Sequence, residues 1–294
     1  MLPILLALTS ALCYGFSKVL IRKAPNVDPF VSVIYTLAVA PPILLAFAVI
    51  RGDAFVSYHF DLWTMANLAV AGVIWLALGR VFAYASINII GAARASQLTS
   101  TQVIFAAVLS VVFLQESMTL ALAVGTVTIF AGELVISFSN PSGKRSMSTD
   151  RFRKGVLIGL VGGFLWGSAQ LFAREGTRGL GSSIMSSLIT YVFAVMAQVV
   201  LVTCYRRREL KMRLQRSEAK FLLASGLAST IAVVAQYTAL LFAPVVSVSP
   251  IVNTSPLITL IASYVFMRDV ELINKKVLFG AFGVVLGAAL VVAF

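Results

Sequence analysis

Residues 79–116 read GRVFAYASINIIGAARASQLTSTQVIFAAVLSVVFLQE, and residues 237–269 read YTALLFAPVVSVSPIVNTSPLITLIASYVFMRD. With Tyr84 set over Tyr237 the two stretches align without a gap. Ser96 falls on Ser249, Thr101 on Thr254, Ser110 on Ser263, Phe113 on Phe266 and Glu116 on Asp269. In each copy a polar cluster interrupts an apolar run: Thr99–Ser100–Thr101–Gln102 in the first, Asn253–Thr254–Ser255 in the second. At bilayer depth such a cluster needs a partner, a cavity or a ligand, because hydrocarbon offers none. The duplication points to a two-repeat membrane protein, with its function where the clusters lie.

Composition agrees. Of 294 residues, 60% are hydrophobic and 12% charged, about half the charged share of a soluble domain, roughly 25%. Hydropathy predicts ten spans, at about 2–21, 30–50, 62–86, 92–114, 118–138, 155–174, 183–205, 219–242, 245–267 and 274–294. Each is close to the ~20 residues that cross a bilayer as a helix. The N-terminal stretch MLPILLALTSALCYG has no basic lead and no small-residue cleavage site, so it reads as a retained first span. Cys13 and Cys204 are far apart in apolar runs and suggest neither a disulfide framework nor a metal site.

The net charge of +12 is placed by topology. Of the 23 Lys and Arg, 17 lie in odd-numbered connections, among them Arg22, Lys23, Lys144–Arg145 and the run Arg206–Lys220. Three, Arg51, Arg174 and Arg178, lie in even ones; Lys18, Arg80 and Arg94 lie within or at the edges of spans. Such a bias puts the odd connections in the cytoplasm of an inner-membrane protein and both termini on the other side. The basic runs then rest on anionic headgroups, and nucleic acid is not the expected partner.

The repeat extends beyond the opening stretches. Ala11–Arg22 (ALCYGFSKVLIR) lies over Gly163–Arg174 (GFLWGSAQLFAR), matching Tyr14 with Trp166, Gly15 with Gly167 and Lys18 with Gln170; Gly125 and Gly132 meet Gly280 and Gly287. The chain therefore divides into 1–138 and 155–294, five spans each, joined by a polar linker at 139–154. Five is odd, so the second half enters the membrane upside down. This all-α inverted-repeat layout belongs to secondary transporters, whose site lies near the midplane between the halves.

Local signals mark individual spans. Tyr14 and Lys18 are four residues apart, as are Trp166 and Gln170, so each pair shares a helix face. Pro41–Pro42 predicts a kink in span two. Ser96 with Ser100, and Ser249 with Asn253, give spans four and nine polar stripes, and Pro256 frees the carbonyl of Val252. The glycines of spans five and ten predict close helix packing.

Ten spans in two five-span halves, an aromatic–Gly pair in spans one and six, and spans four and nine closing on Glu116 and Asp269 together resemble the EamA branch of the drug/metabolite transporter superfamily. The likeness covers essentially the whole chain. It implies a carrier of small metabolites working by alternating access, with aromatic and apolar amino-acid exporters as the nearest functional likeness. The family often has proline midway along both spans four and nine; here Pro256 is present and Val103 stands opposite it.

The candidate substrate-binding residues are Tyr14, Lys18, Trp75, Tyr84, Ser100, Gln102, Trp166, Gln170, Tyr237 and Asn253. The aromatics lie near mid-span and not in the interfacial belts usual for Trp and Tyr, so they either stack on an apolar solute or pack helices together. Glu133, the only carboxylate well inside a span, is either a proton-coupling group or the partner of Arg80 or Lys18. Nucleotide sugars, purines, drug-like solutes and a passive facilitator are the alternatives on the same scaffold. No enzyme is expected: the only histidine, His59, lies in a connection, Glu133 has no second carboxylate, and there is no phosphate-binding loop. The reading calls for no cofactor and leaves the oligomeric state open.

Overall fold

The computed structural model describes residues 1–24, 27–90, 95, 98–139, 149–205, 215–266 and 275–293. Within them the chain forms α1 (Leu2–Arg22), α2 (Pro29–Arg51), α3 (Leu62–Ser86), α4 (Leu98–Leu114), α5 (Leu120–Ser139), α6 (Thr149–Leu180), α7 (Ser183–Tyr205), α8 (Arg216–Phe242), α9 (Val245–Val252 and Ser255–Phe266) and α10 (Lys275–Ala293). Eight are long and apolar enough to cross a membrane; α4 and α5 are shorter apolar helices. Arg94, Ser96, Asp269 and most of the 139–154 linker lie outside the described residues. The linker's last residues are helical instead, because α6 starts at Thr149, where Asp150 complements the positive end of the helix dipole.

The packing has the symmetry that the repeat predicts. α1 packs on α8 and its counterpart α6 on α3; α2 on α8 and α7 on α3; α9 on α1 and α4 on α6. The pairs α5–α10, α2–α7 and α4–α9 map onto themselves. The α5–α10 contact fixes the direction of the two halves. A methyl on Gly125 would lie 2.9 Å from the Gly287 carbonyl oxygen, and one on Gly132 would lie 2.6 Å from that of Gly280. Exchanging the halves turns the first contact into the second. The two helices run antiparallel, so matched helices have opposite senses and the repeats are inverted. The small-residue faces let the backbones touch, while the outward face of α10 shows Leu278, Phe279, Phe282 and Val285 to lipid.

Three spans are broken, each for a readable reason. α2 consists of Pro29–Ala38 and Ala40–Arg51, interrupted just before the expected Pro41–Pro42 kink. α9 stops at Val252 and restarts at Ser255, with Pro256 in its new first turn. α4 turns at Thr101, although Val103 and not proline follows. Matched threonines sit at both breaks: Thr101 Oγ1 donates to the Leu98 carbonyl at 2.5 Å, and Thr254 Oγ1 to the Ile251 carbonyl at 2.8 Å. A hydroxyl that takes a carbonyl three residues back competes with the helical ladder.

One ion pair anchors α9. Glu116 accepts from the Val245 and Val246 amides at 3.0 and 3.1 Å, capping the helix N-terminus, and meets Arg174 at 3.0 Å. Arg174 also donates to the Ala243 carbonyl, so α4, α6 and the α8–α9 turn are tied together.

Candidate functional site

The breaks in α4 and α9 face each other where the halves cross. Gln102 Nε2 donates to Asn253 Oδ1 at 2.9 Å, and Asn253 Nδ2 donates to Glu133 Oε2 at 3.0 Å. Beside this chain Lys18 Nζ donates to Ser255 Oγ at 3.0 Å. Asn253 and Glu133 are each 3% exposed, so the carboxyl is out of water and its state depends on these few neighbours. Its Oε1 accepts no hydrogen bond, and Ser100 and Lys18 also face the group. Five sequence-predicted residues, Lys18, Ser100, Gln102, Glu133 and Asn253, therefore share one cluster. The winding explains it: unwinding at 101 and 253–254 turns polar side chains inward that a continuous helix would distribute around its axis.

The aromatic candidates form a second cluster. Trp75 and Tyr237 stack with ring centroids 6.0 Å apart and planes 6° from parallel. Tyr237 Oη donates to Thr190 Oγ1 at 3.0 Å, and Trp166 Nε1 donates to the Trp75 carbonyl at 3.2 Å. Trp75 sits in Gly72–Gly79, which winds as a π-helix inside the third span. Both flanking glycines are needed: a methyl on Gly72 would strike the Thr190 backbone carbonyl, and one on Gly79 the Trp166 indole. A π segment offsets everything after it relative to an α-helix, and such segments recur at functional sites. Uniform hydropathy across span three hid it.

Gln170 joins a smaller pair with Gln236, whose Nε2 lies 3.4 Å from Gln170 Oε1, both buried. Tyr14 and Tyr84 are half-buried against the core. The Tyr14 hydroxyl is enclosed without a hydrogen-bond partner and lies within electrostatic reach of Arg80, Tyr191 and Tyr237.

Arg80 answers one of the two alternatives for Glu133. It does not pair with that carboxylate; its guanidinium donates to Thr36 Oγ1 at 3.3 Å. Glu133 is bonded by Asn253, and Lys18, the other alternative, lies within electrostatic reach of it. Sequence reasoning placed Tyr191, Thr190 and Gln236 in no site. Tyr191 was accessible by the rule that singled out Tyr14, a tyrosine far from either span end. Thr190 carried no such mark.

The sequence profile of the EamA-like transporter family matches residues 1–138 and 153–293. A solved structure described only as "Crystal structure of protein" superimposes on 98% of this chain and 95% of its own, with a TM-score of 0.81 at 16% identity. That likeness concerns the fold. No curated protein matches the sequence.

Proposed function

The chain belongs to the EamA-like transporter family, whose members carry small solutes, and from that premise we propose that it exports amino acids, aromatic and apolar ones first. The observation that carries the reading is the placement of a stacked ring pair, Trp75–Tyr237, and a buried polar chain, Gln102–Asn253–Glu133, where the inverted halves meet. Rings supply apolar contact at fixed geometry, worth ~0.5–1.5 kcal/mol beyond area for an aromatic partner. The polar chain supplies acceptors for the ammonium group of a zwitterionic head.

Alternating access follows from the same contacts. The Gln102–Asn253 bond ties α4 to α9 across the boundary between 1–138 and 155–294, the two units that rock against each other. When the path opens on that side the bond breaks, and water or solute takes both halves of it, so little free energy separates the states. Glu133, held only through Oε2, is the group through which proton movement couples to export. The excess of Lys and Arg in the odd-numbered connections supports an inner-membrane location with those connections cytoplasmic.

Counterflow in proteoliposomes tests the reading. Liposomes preloaded with unlabelled phenylalanine, tryptophan or leucine should draw in the labelled amino acid transiently and saturably. Trp166→Ala, which also removes the bond to the Trp75 carbonyl, should weaken binding by ~0.5–1.5 kcal/mol or more. Counterflow with nucleobases or nucleotide sugars alone would replace the amino-acid reading, and flux without saturation would favour a passive facilitator.

A further inference from the structure

The geometry points to a binding site for the carboxylate end of the solute, built by Arg80 with the hydroxyls of Tyr14 and Tyr191. The inference rests on the centre of the molecule being the solute site, and it adds which charge the solute carries and where that charge sits.

Arg80 is 8% exposed. Burying a guanidinium is costly unless a counter-charge or a full set of acceptors replaces its water. The fork has five N–H donors, and among the described residues it makes one hydrogen bond, to Thr36 at 3.3 Å, a neutral and rather distant partner. Among the described residues no carboxylate is paired with it; Glu116, for example, pairs with Arg174. A purely structural bond to Thr36 would need only an amide side chain. The charge is therefore kept for something the protein itself does not provide.

The groups around Arg80 say what that is. Tyr14 and Tyr84 both lie within electrostatic reach of its charge, and Tyr14 also within that of Tyr191 and of Tyr237, whose ring stacks on Trp75 and whose hydroxyl bonds Thr190, the residue before Tyr191. The Tyr14 and Tyr191 hydroxyls are enclosed with no hydrogen-bond partner, and Tyr191 is fully buried. Hydroxyls in that position cost free energy until an acceptor arrives. A guanidinium fork and two phenols make a donor-rich surface that fits a planar, singly charged, bidentate acceptor, which is a carboxylate. A phosphate dianion would call for more positive charge than one arginine among neutral phenols. Lys18 donates to Ser255 in the other cluster.

The π segment supports the assignment independently. It ends at Gly79, so Arg80 is the first side chain re-aimed by the offset, while Trp75 within it forms half of the stacked ring pair. One winding change thus presents a cation and an aromatic face from a single helix. That matches a solute with a carboxylate at one end and an apolar body at the other.

The test is ligand-induced thermal stabilisation of the full-length protein in detergent, titrated with four probes: L-phenylalanine, 3-phenylpropanoate, phenethylamine and hexanoate. Wild type should be stabilised by the carboxylates. Arg80→Gln should weaken them at least about tenfold, the scale of a charge-assisted hydrogen bond, without weakening phenethylamine. Tyr14→Phe, which removes one oxygen, should weaken the same probes less. If Arg80→Gln does not fold, Arg80→Lys carries the test, since it keeps the charge and loses the fork, and the carboxylates should still weaken several-fold. Phenethylamine binding as tightly as phenylalanine, or carboxylate affinity unchanged in the Arg80 variants, would overturn the site and leave the aromatic reading standing. Stabilisation by hexanoate but not by the aromatic carboxylates would keep the site and remove the aromatic reading. No stabilisation by any carboxylate would overturn both.

Discussion

The two halves of this molecule agree in scaffold and disagree in charge. Gly125 and Gly132, matched by the repeat with Gly280 and Gly287, touch Gly287 and Gly280 in turn, and Thr101 is matched by Thr254 at equivalent helix breaks. The charged side chains within the spans do not follow. Lys18, Arg80 and Glu133 belong to the first half, and the repeat sets Gln170, Val233 and Ala288 against them. Even the matched aromatics differ in use, since Trp166 gives its N–H to the Trp75 carbonyl while Tyr14 keeps a free hydroxyl beside Arg80. Backbone geometry answers to the pseudo-symmetry of two inverted units. On the reading proposed above, recognition of a small asymmetric solute does not, and the first half is its bearer.

The sharpest way to break the scaffold half of that comparison is at the α5–α10 contact. Gly132→Val should destabilise by about 1–3 kcal/mol or prevent folding, because the new Cβ meets a backbone oxygen at 2.6 Å and overpacking of this kind forces the helices apart. Gly280→Val should cost the same within error, since its Cβ would meet the Gly132 carbonyl at the same distance. Gly283→Ala is the control. Its nearest neighbour would be the Gly132 Cα at 3.4 Å, and melting in detergent should barely move. Unequal costs at 132 and 280 would show that the symmetry is only approximate in energy.

Charge is probed next. Glu133→Gln keeps an acceptor for Asn253, so folding should survive. Accumulation driven by a pH gradient should be lost while downhill counterflow persists, measured in proteoliposomes at two external pH values. Pumping that stays pH-dependent would return Glu133 to the scaffold. A smaller effect is expected at the breaks: Thr101→Val and Thr254→Val should each shift stability by about 1 kcal/mol, the net worth of one hydrogen bond. Similar losses at both would extend the symmetry from geometry to energy.

How much of this could be read beforehand follows the same division. Span number, inversion and glycine contacts are set by hydropathy and repetition, which act over many residues and leave a pattern in one dimension. The polar cluster was legible too, because Ser100, Gln102 and Asn253 interrupt apolar runs. What stayed hidden depends on winding and on distant neighbours. The π segment at Gly72–Gly79 lies in an unbroken apolar run, and the choice of Thr36 over Glu133 as the partner of Arg80 is made by packing between α2 and α3. Ion pairing cannot be assigned from opposite charges in two spans when hydroxyls and amides are equally available.

Proline at position 103 gives the smallest effect and a direct test of what makes the breaks. Val103 is the second residue of the helix Gln102–Phe113, and Pro256 is the second residue of Ser255–Phe266. In a first turn the missing N–H and the fixed φ of proline are both tolerated. If the Thr101 hydroxyl already imposes the turn, Val103→Pro should fold and change the melting temperature by no more than about 1 kcal/mol equivalent, the loss coming from the trimmed contacts of a fully buried side chain. Its counterflow rate should stay within a few-fold of wild type. A large loss of stability would mean that α4 relies on a bond from the Val103 amide that α9 has learned to do without, and the two breaks would then be alike in shape but not in cause.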